Sequence, residues 1–298
     1  MAQATSYNLM MMLVLLKLIA SKCMKYFHWN FLLLFSLVLV FVACSPKPFA
    51  ATNKIYSSRA KAMAKTISSK PDKAISDSLV ASQEWVGTTN FGLRKPNYVI
   101  IHHTAQNSCE KTLLTFTRDS TQVSAHYVIC KDGTLHQMLN DYLRAWHAGA
   151  SKWGNTTDLN SSSIGIELDN NGIDTFSEGQ LKTLELLLAA LKIKYNIPTA
   201  NFIAHADIAP GRKIDPNINF PWKRFAESGY GLWYADTTNM NLPQNFDAFT
   251  ALRIIGYNIS NPAAAVQVFR QHFLQSNATG ELTEPEKKVL YGVLLNTK

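Results

Sequence analysis

The 298-residue sequence has only four cysteines, Cys23, Cys44, Cys109 and Cys130, and none stands in a C-x-x-C pair. A zinc knuckle and a thioredoxin-like redox motif are therefore unsupported, and the candidate metal site below rests on histidine and carboxylate. The sequence also lacks an uninterrupted apolar run of the ~20 residues that a spanning helix needs. Its two apolar stretches both fall short: Leu9 to Ala20 is broken by Lys17, and Phe31 to Cys44 is uncharged but brief. There is no internal repeat and no low-complexity segment, which sets aside solenoids and compositional tracts. Charge is sparse, at 17% of residues against 47% hydrophobic, with 6 Trp and 11 Tyr. Those proportions describe a globular chain. Basic residues outnumber acidic ones to a net charge of +8. Such a balance favours anionic partners in general. Much of it sits in Lys54, Arg59, Lys61, Lys65, Lys70 and Lys73, where the single aromatic Tyr56 makes no aromatic-interleaved basic motif. That run reads as a solvated tether, and no nucleic-acid partner is expected.

The second apolar stretch has the layout of a secretory leader, with Met24-Lys25 as a short basic start. Met24 would then be the true start. Around its end, Phe41-Val42-Ala43-Cys44-Ser45 resembles the lipobox of bacterial lipoproteins, with Phe41 where Leu is usual. The resemblance implies cleavage after residue 43 and a lipid on Cys44. Because Ser45 is not Asp, it also implies an outer-membrane lipoprotein facing the periplasm. The plainer alternative is an ordinary leader or an uncleaved anchor, giving a periplasmic or secreted protein.

Residues 44–80 are rich in Ser, Lys, Pro and Ala without a sustained apolar period, and are expected to be a linker. A dense α/β pattern follows. Strands are expected at Tyr98 to Ile101 behind Pro96, at Ala125 to Cys130, at Thr134 to Leu139 after the Asp132-Gly133 turn, at Ser163 to Leu168 and at Asn201 to Ala204. The clearest helix runs from Ser177 to Tyr195, with Ser177 as cap and a Leu181, Leu184, Leu187, Leu188, Leu191 stripe. A short helix is expected over Pro221 to Glu227. From about Asn245 the character changes to short helices at Asp247 to Ile255, Ala263 to Phe273 and Glu284 to Leu295. The expected organisation is a leader over 1–43, a linker over 44–80, a mixed central sheet flanked by helices over 81–238, and a small all-α module over 245–298.

Three residues draw attention as metal ligands. His102 follows the strand at Tyr98, His205 follows the strand at Asn201, and Asp215 lies ten residues later in a loop stiffened by Pro210 and Pro216. Strand ends and rigid loops deliver side chains to one edge of a sheet. Two imidazoles and one carboxylate are the donor set of a catalytic zinc site, which keeps one position open. Spacing alone leaves the plainer reading, satisfied polar residues at strand ends, in front.

The surrounding words change that balance. Val99-Ile100-Ile101-His102-His103-Thr104-Ala105, Trp146-His147-Ala148-Gly149, Ser163-Ile164-Gly165-Ile166-Glu167-Leu168 and the run from Ala204 to Pro216 stand in the order of a known family. Together they resemble the type-2 N-acetylmuramoyl-L-alanine amidases, a superfamily that includes the peptidoglycan recognition proteins. In layout the chain is similar to the outer-membrane lipoprotein members. The resemblance covers about Trp85 to Asp236 and implies a zinc amidase, one Zn2+ per chain, that hydrolyses the lactyl–L-alanine amide of peptidoglycan or its muropeptides. Carried over by position, the zinc ligands fall on His102, His205 and Asp215, the catalytic glutamate on Glu167 and the oxyanion-stabilising lysine on Lys213. A non-catalytic peptidoglycan-binding protein is the alternative, and the intact ligand set argues against it. One departure is Ala125, where some relatives carry a tyrosine, so no tyrosine role is expected there. The tail resembles a small helical peptidoglycan-binding module in Leu252 to Asn258, Val266 to Phe273, Gly280 and Leu282-Thr283. A generic bundle packed on the amidase domain remains the alternative.

Other residues stay open. His126, His136 and His147 read as ordinary strand or groove residues, with the alternative that they orient a ligand. Trp146, Trp153 and Trp222 read as core rather than groove walls. Cys109 and Cys130 would pair if close enough. A monomer is expected.

Overall fold

Pro96 cannot extend a ladder, and the β-branched run behind it can. Accordingly β1 spans Tyr98–His103 and is buried from Val99 onward. The structure is a computed structural model, and it describes residues 48–68, 88, 90 and 93–297. The expected leader at 1–43 and the lipidation site Cys44 lie outside the described residues. The chain divides into two units, Met1–Gly87 and Thr88–Lys298.

In the first unit, Ala50–Ser68 forms helix α1 with no buried residue. The sequence reading had only a linker here. Ala, Lys, Arg and Met favour the helix locally, without the apolar period that betrays a core-facing one.

The second unit is built on a five-stranded sheet in the order β3-β2-β4-β1-β5. Its other strands are β2 (Tyr127–Ile129), β3 (Leu135–Gln137), β4 (Ser163–Leu168) and β5 (Phe202–Ala204). All neighbours are parallel except β3, which returns antiparallel on β2. The central strand β4 is buried along its whole length, as a parallel strand covered on both faces should be. Register sets His102 of β1 beside Glu167 of β4. Both therefore lie at the carboxyl ends of adjacent strands, the edge where open α/β sheets bind ligands.

Helices cover the sheet. Residues Cys109–Thr117 form α2, capped by Ser108, whose side chain accepts from the Lys111 N–H. Disulfide Cys109–Cys130 ties α2 to the end of β2, a pairing the sequence had left open. Residues Leu159–Ser162 form the single turn α3. Residues Glu178–Tyr195 form α4, with the Ser177 hydroxyl accepting from the Gln180 N–H, and the expected leucine stripe is buried. Residues His205–Ile208 form α5, and Trp222–Glu227 form α6. The tail supplies α7 (Ala248–Ile255), α8 (Pro262–Leu274) and α9 (Glu284–Leu295). Its Leu252, Phe269 and Leu290 belong to the same apolar cluster as Ile164 and Ile166 of the central strand.

Candidate metal centre

β1 and β5 are neighbours, so His102 near the end of one and His205 just beyond the other arrive side by side. Asp215 is brought to them by a backbone bond, its carbonyl accepting from the Ala206 N–H at 2.8 Å. The three inward atoms form a tight triangle. His102 Nδ1 lies 2.9 Å from His205 Nδ1 and 3.0 Å from Asp215 Oδ2, and His205 Nδ1 lies 2.9 Å from the same oxygen. All three residues are buried. Burial, and His205 after it, push the His102 imidazole down to about 4, so it is neutral at physiological pH.

Glu167 stands over this triangle. Its Oε1 lies 4.0 Å from His102 Nδ1, and its Oε2 is buried without a hydrogen-bond partner. Burial and then Asp215 push the Glu167 carboxyl up to about 8, with Lys213 opposing. Lys213 is half-buried, and its charge also bears on His102 and His103. The five residues expected at the site are thus together at one edge of the sheet.

The donor set fits a zinc ion: two imidazole nitrogens and one carboxylate oxygen, each close to the others. The orphaned Glu167 oxygen and the three converging acceptors are what an electropositive guest would satisfy. His103, next in sequence, faces elsewhere: its Nδ1 accepts from the Asn217 N–H at 2.9 Å. A second group, Cys109, Cys130 and His136, also lies close together. Its cysteines are consumed in the disulfide.

The open residues resolve in three ways. His147 is not an ordinary groove residue: its Nδ1 lies 3.0 Å from His102 Nε2, on the far side of the ring from the centre. Its neighbour in sequence, Ala148, places a carbonyl oxygen 3.2 Å from His205 Nε2. His126 is structural, accepting from the Gly165 N–H at Nδ1 and donating from Nε2 to the Leu143 carbonyl. His136 sits on the edge strand β3, half-buried. Trp153 and Trp222 are core residues as expected, while Trp146 is 46% exposed beside His147 and not core.

Sequence reasoning missed Asn160 and Asp207. The Asn160 side-chain oxygen accepts from the backbone N–H groups of both His147 and Ala148. Asp207, two residues after His205, accepts from the Ala204 N–H, from Tyr257 Oη–H at 2.9 Å and from His272 Nδ1–H at 2.7 Å. Nothing about their spacing marks them, because their partners come from distant parts of the chain.

Comparison with known proteins agrees with this geometry. Residues 92–218 match the family model described as N-acetylmuramoyl-L-alanine amidase. The chain is 37% identical over 151 residues to the N-acetylmuramoyl-L-alanine amidase AmiD of Escherichia coli, covering 45% of this chain and 54% of that protein. It is 38% identical over 104 residues to the 1,6-anhydro-N-acetylmuramyl-L-alanine amidase AmpD of Citrobacter freundii, covering 35% of this chain and 56% of that one. The chain thus spans about half the length of these relatives. Among solved structures, E. coli AmiD in complex with the substrate anhydro-N-acetylmuramic acid-L-Ala-D-γ-Glu-L-Lys superposes with a TM-score of 0.62 at 28% identity, covering 71% of this chain and 93% of that one. Pseudomonas aeruginosa AmpDh3 in complex with anhydromuramic pentapeptide gives 0.61 at 28% identity, covering 73% and 98%.

Proposed function

We propose, from the premise that residues 92–218 are an N-acetylmuramoyl-L-alanine amidase domain, that the protein is a zinc-dependent amidase acting on peptidoglycan or its muropeptides. The bond cut is the amide between the muramic lactyl group and the first L-alanine. The observation that carries this reading is the buried triangle of His102, His205 and Asp215 with the unpartnered Glu167 oxygen beside it.

His102, His205 and Asp215 would hold the ion. Zinc supplies Lewis acidity, which polarises an amide carbonyl and makes water a nucleophile near neutral pH. Glu167 takes the proton from the attacking water and delivers it to the leaving alanine nitrogen. A carboxyl held near neutrality suits both transfers, since it accepts and releases a proton at similar pH. Lys213 places positive charge where the carbonyl oxygen becomes negative. Trp146 and Ile214, both exposed beside site residues, offer apolar surface to the bound peptide.

The solved neighbours bind anhydro-muramyl peptides, so these are the first substrates to test. Zinc content and peptide release are measured together on wild type and His205→Ala, and the reading requires both to vanish in the variant. Binding of sacculi without cleavage by zinc-loaded wild type would instead favour a recognition protein. A lipid on Cys44, outer-membrane residence and a monomeric state belong to the same proposal. Loss of lipid labelling in Cys44→Ala tests the anchor.

A further inference from the structure

Each imidazole in the centre has a second nitrogen facing outward, and the two are held differently. His205 Nε2 lies 3.2 Å from the Ala148 carbonyl oxygen. A carbonyl only accepts, so the His205 proton sits on Nε2 and Nδ1 keeps its lone pair. The nearby Arg212 Nη2 donates to that same carbonyl at 2.8 Å. His102 Nε2 instead lies 3.0 Å from Nδ1 of His147. An imidazole nitrogen can give or take, so this contact alone leaves the proton unplaced.

The direction is decided one residue further out. His147 Nε2 lies 3.1 Å from Ser163 Oγ, and Ser163 Oγ–H donates its single proton to the Leu159 carbonyl. A hydroxyl that has given its proton away can only accept from its other neighbour. His147 therefore carries its proton on Nε2 and presents a bare Nδ1, which accepts from His102 Nε2–H. His102 Nδ1 is then left bare, facing His205 Nδ1 and Asp215 Oδ2. Three lone pairs converge with no proton among them, an arrangement that repels itself unless a cation lies between.

We propose that His147 and Ser163 are positioning residues that hold His102 in the tautomer whose Nδ1 is free to bind a divalent cation. The inference rests on the zinc reading above and adds the outer residues that prepare the site. The relay is enclosed: Ser163, His147 and His102 are all buried, so water does not compete for its bonds. The His147 ring lies against the backbone of β4, where a Cβ on Gly165 would come within 2.5 Å of it. Only glycine leaves that room. Asn160 pins the same loop through the His147 and Ala148 N–H groups. One segment, Trp146 to Gly149, thus orders both imidazoles, one through a side chain and one through a carbonyl.

The test uses the full chain. Nitrogen-15 NMR of histidine-labelled wild type, with and without Zn2+, reads the tautomers directly. His147 is expected as the Nε2–H form in both states. Zn2+ affinity, measured by competition with a chromophoric chelator, is expected to fall about 10-fold in Ser163→Ala and about 10- to 100-fold in His147→Phe, the usual range for outer partners of metal-bound histidine. Ser163→Thr keeps the hydroxyl and recovers the affinity. His147 found with its proton on Nδ1 in wild type overturns the proposal without any variant. So does an affinity within twofold of wild type in folded Ser163→Ala and His147→Phe. Wild type that takes up no Zn2+ at all overturns the metal reading itself, a result distinct from either.

Discussion

At the scale of single residues, the proposed function rests on groups that look ill-placed in a purely structural role. Glu167 is buried with an orphaned oxygen, which a purely structural glutamate would not tolerate cheaply. Glu167→Gln is expected to retain Zn2+ and to lose roughly 100- to 10,000-fold in turnover, the range for removing a general acid–base. Metal analysis and muropeptide hydrolysis on the same sample check this. Lys213→Met should cost on the order of 100- to 1,000-fold in kcat, with Zn2+ still bound. The clustering of His102, His205 and Asp215 was legible because each sits in a run of recognisable words. His147 stood in such a word too, but its role depends on Ser163. Read in sequence, Ser163 is merely a small polar residue opening a strand. The bond that gives it meaning joins residues from different elements.

At the scale of elements, the long and strongly patterned ones could be read directly. The strand β4 is a continuous apolar run, and α4 carries both its cap and its stripe. The tail helices α7, α8 and α9 lie within one residue of their expected bounds, marked by Asp247, Asn261 and Pro262. The turns α3 and α5 were not legible, being four residues each and held by neighbours rather than by propensity. Gly256 ends α7 at φ +136°, and a Cβ there would meet the Trp153 ring at 2.4 Å. Gly256→Ala is therefore expected to destabilise by about 3 kcal/mol, from overlap and backbone strain together, measured by urea unfolding. In α8 and α9, Arg270 pairs with Glu286 at 2.8 Å and donates to the Gly280 and Glu281 carbonyls. The Arg270 hydrogen bond, against a smaller opposing effect of burial, lowers the Glu286 carboxyl to about 2. A depressed carboxyl contributes stability above its unfolded value and loses it as pH falls. The contribution should disappear between about pH 4.5 and 2, and Arg270→Met should reduce that part of the acid transition, leaving the share that the Thr283 N–H and hydroxyl contribute.

At the scale of the whole molecule, the tail and the sheet share one core within the Thr88–Lys298 unit. His272 and Tyr257 of the tail close on Asp207, two residues from His205. Deleting residues 245–298 should therefore lower the melting temperature of the remaining unit or prevent its folding, as read by calorimetry. Buried histidines give the molecule a second response to acid. Burial pushes His126 down to about 4, below its unfolded value of ~6.5. Between those values the unfolded chain binds a proton that the folded one refuses, so stability rises with pH. It is lost as pH falls, by roughly 3 kcal/mol at pH 4. His126→Gln should flatten that slope in denaturant titrations from pH 7 to 4.

The most direct measurement is mass spectrometry of the products formed when the zinc-loaded protein is incubated with defined anhydro- and intact muropeptides. The account predicts free stem peptides beginning with an unblocked L-alanine, and matching sugars that keep the lactyl carboxyl. Muropeptides recovered whole, or new ends at any other bond, would contradict it.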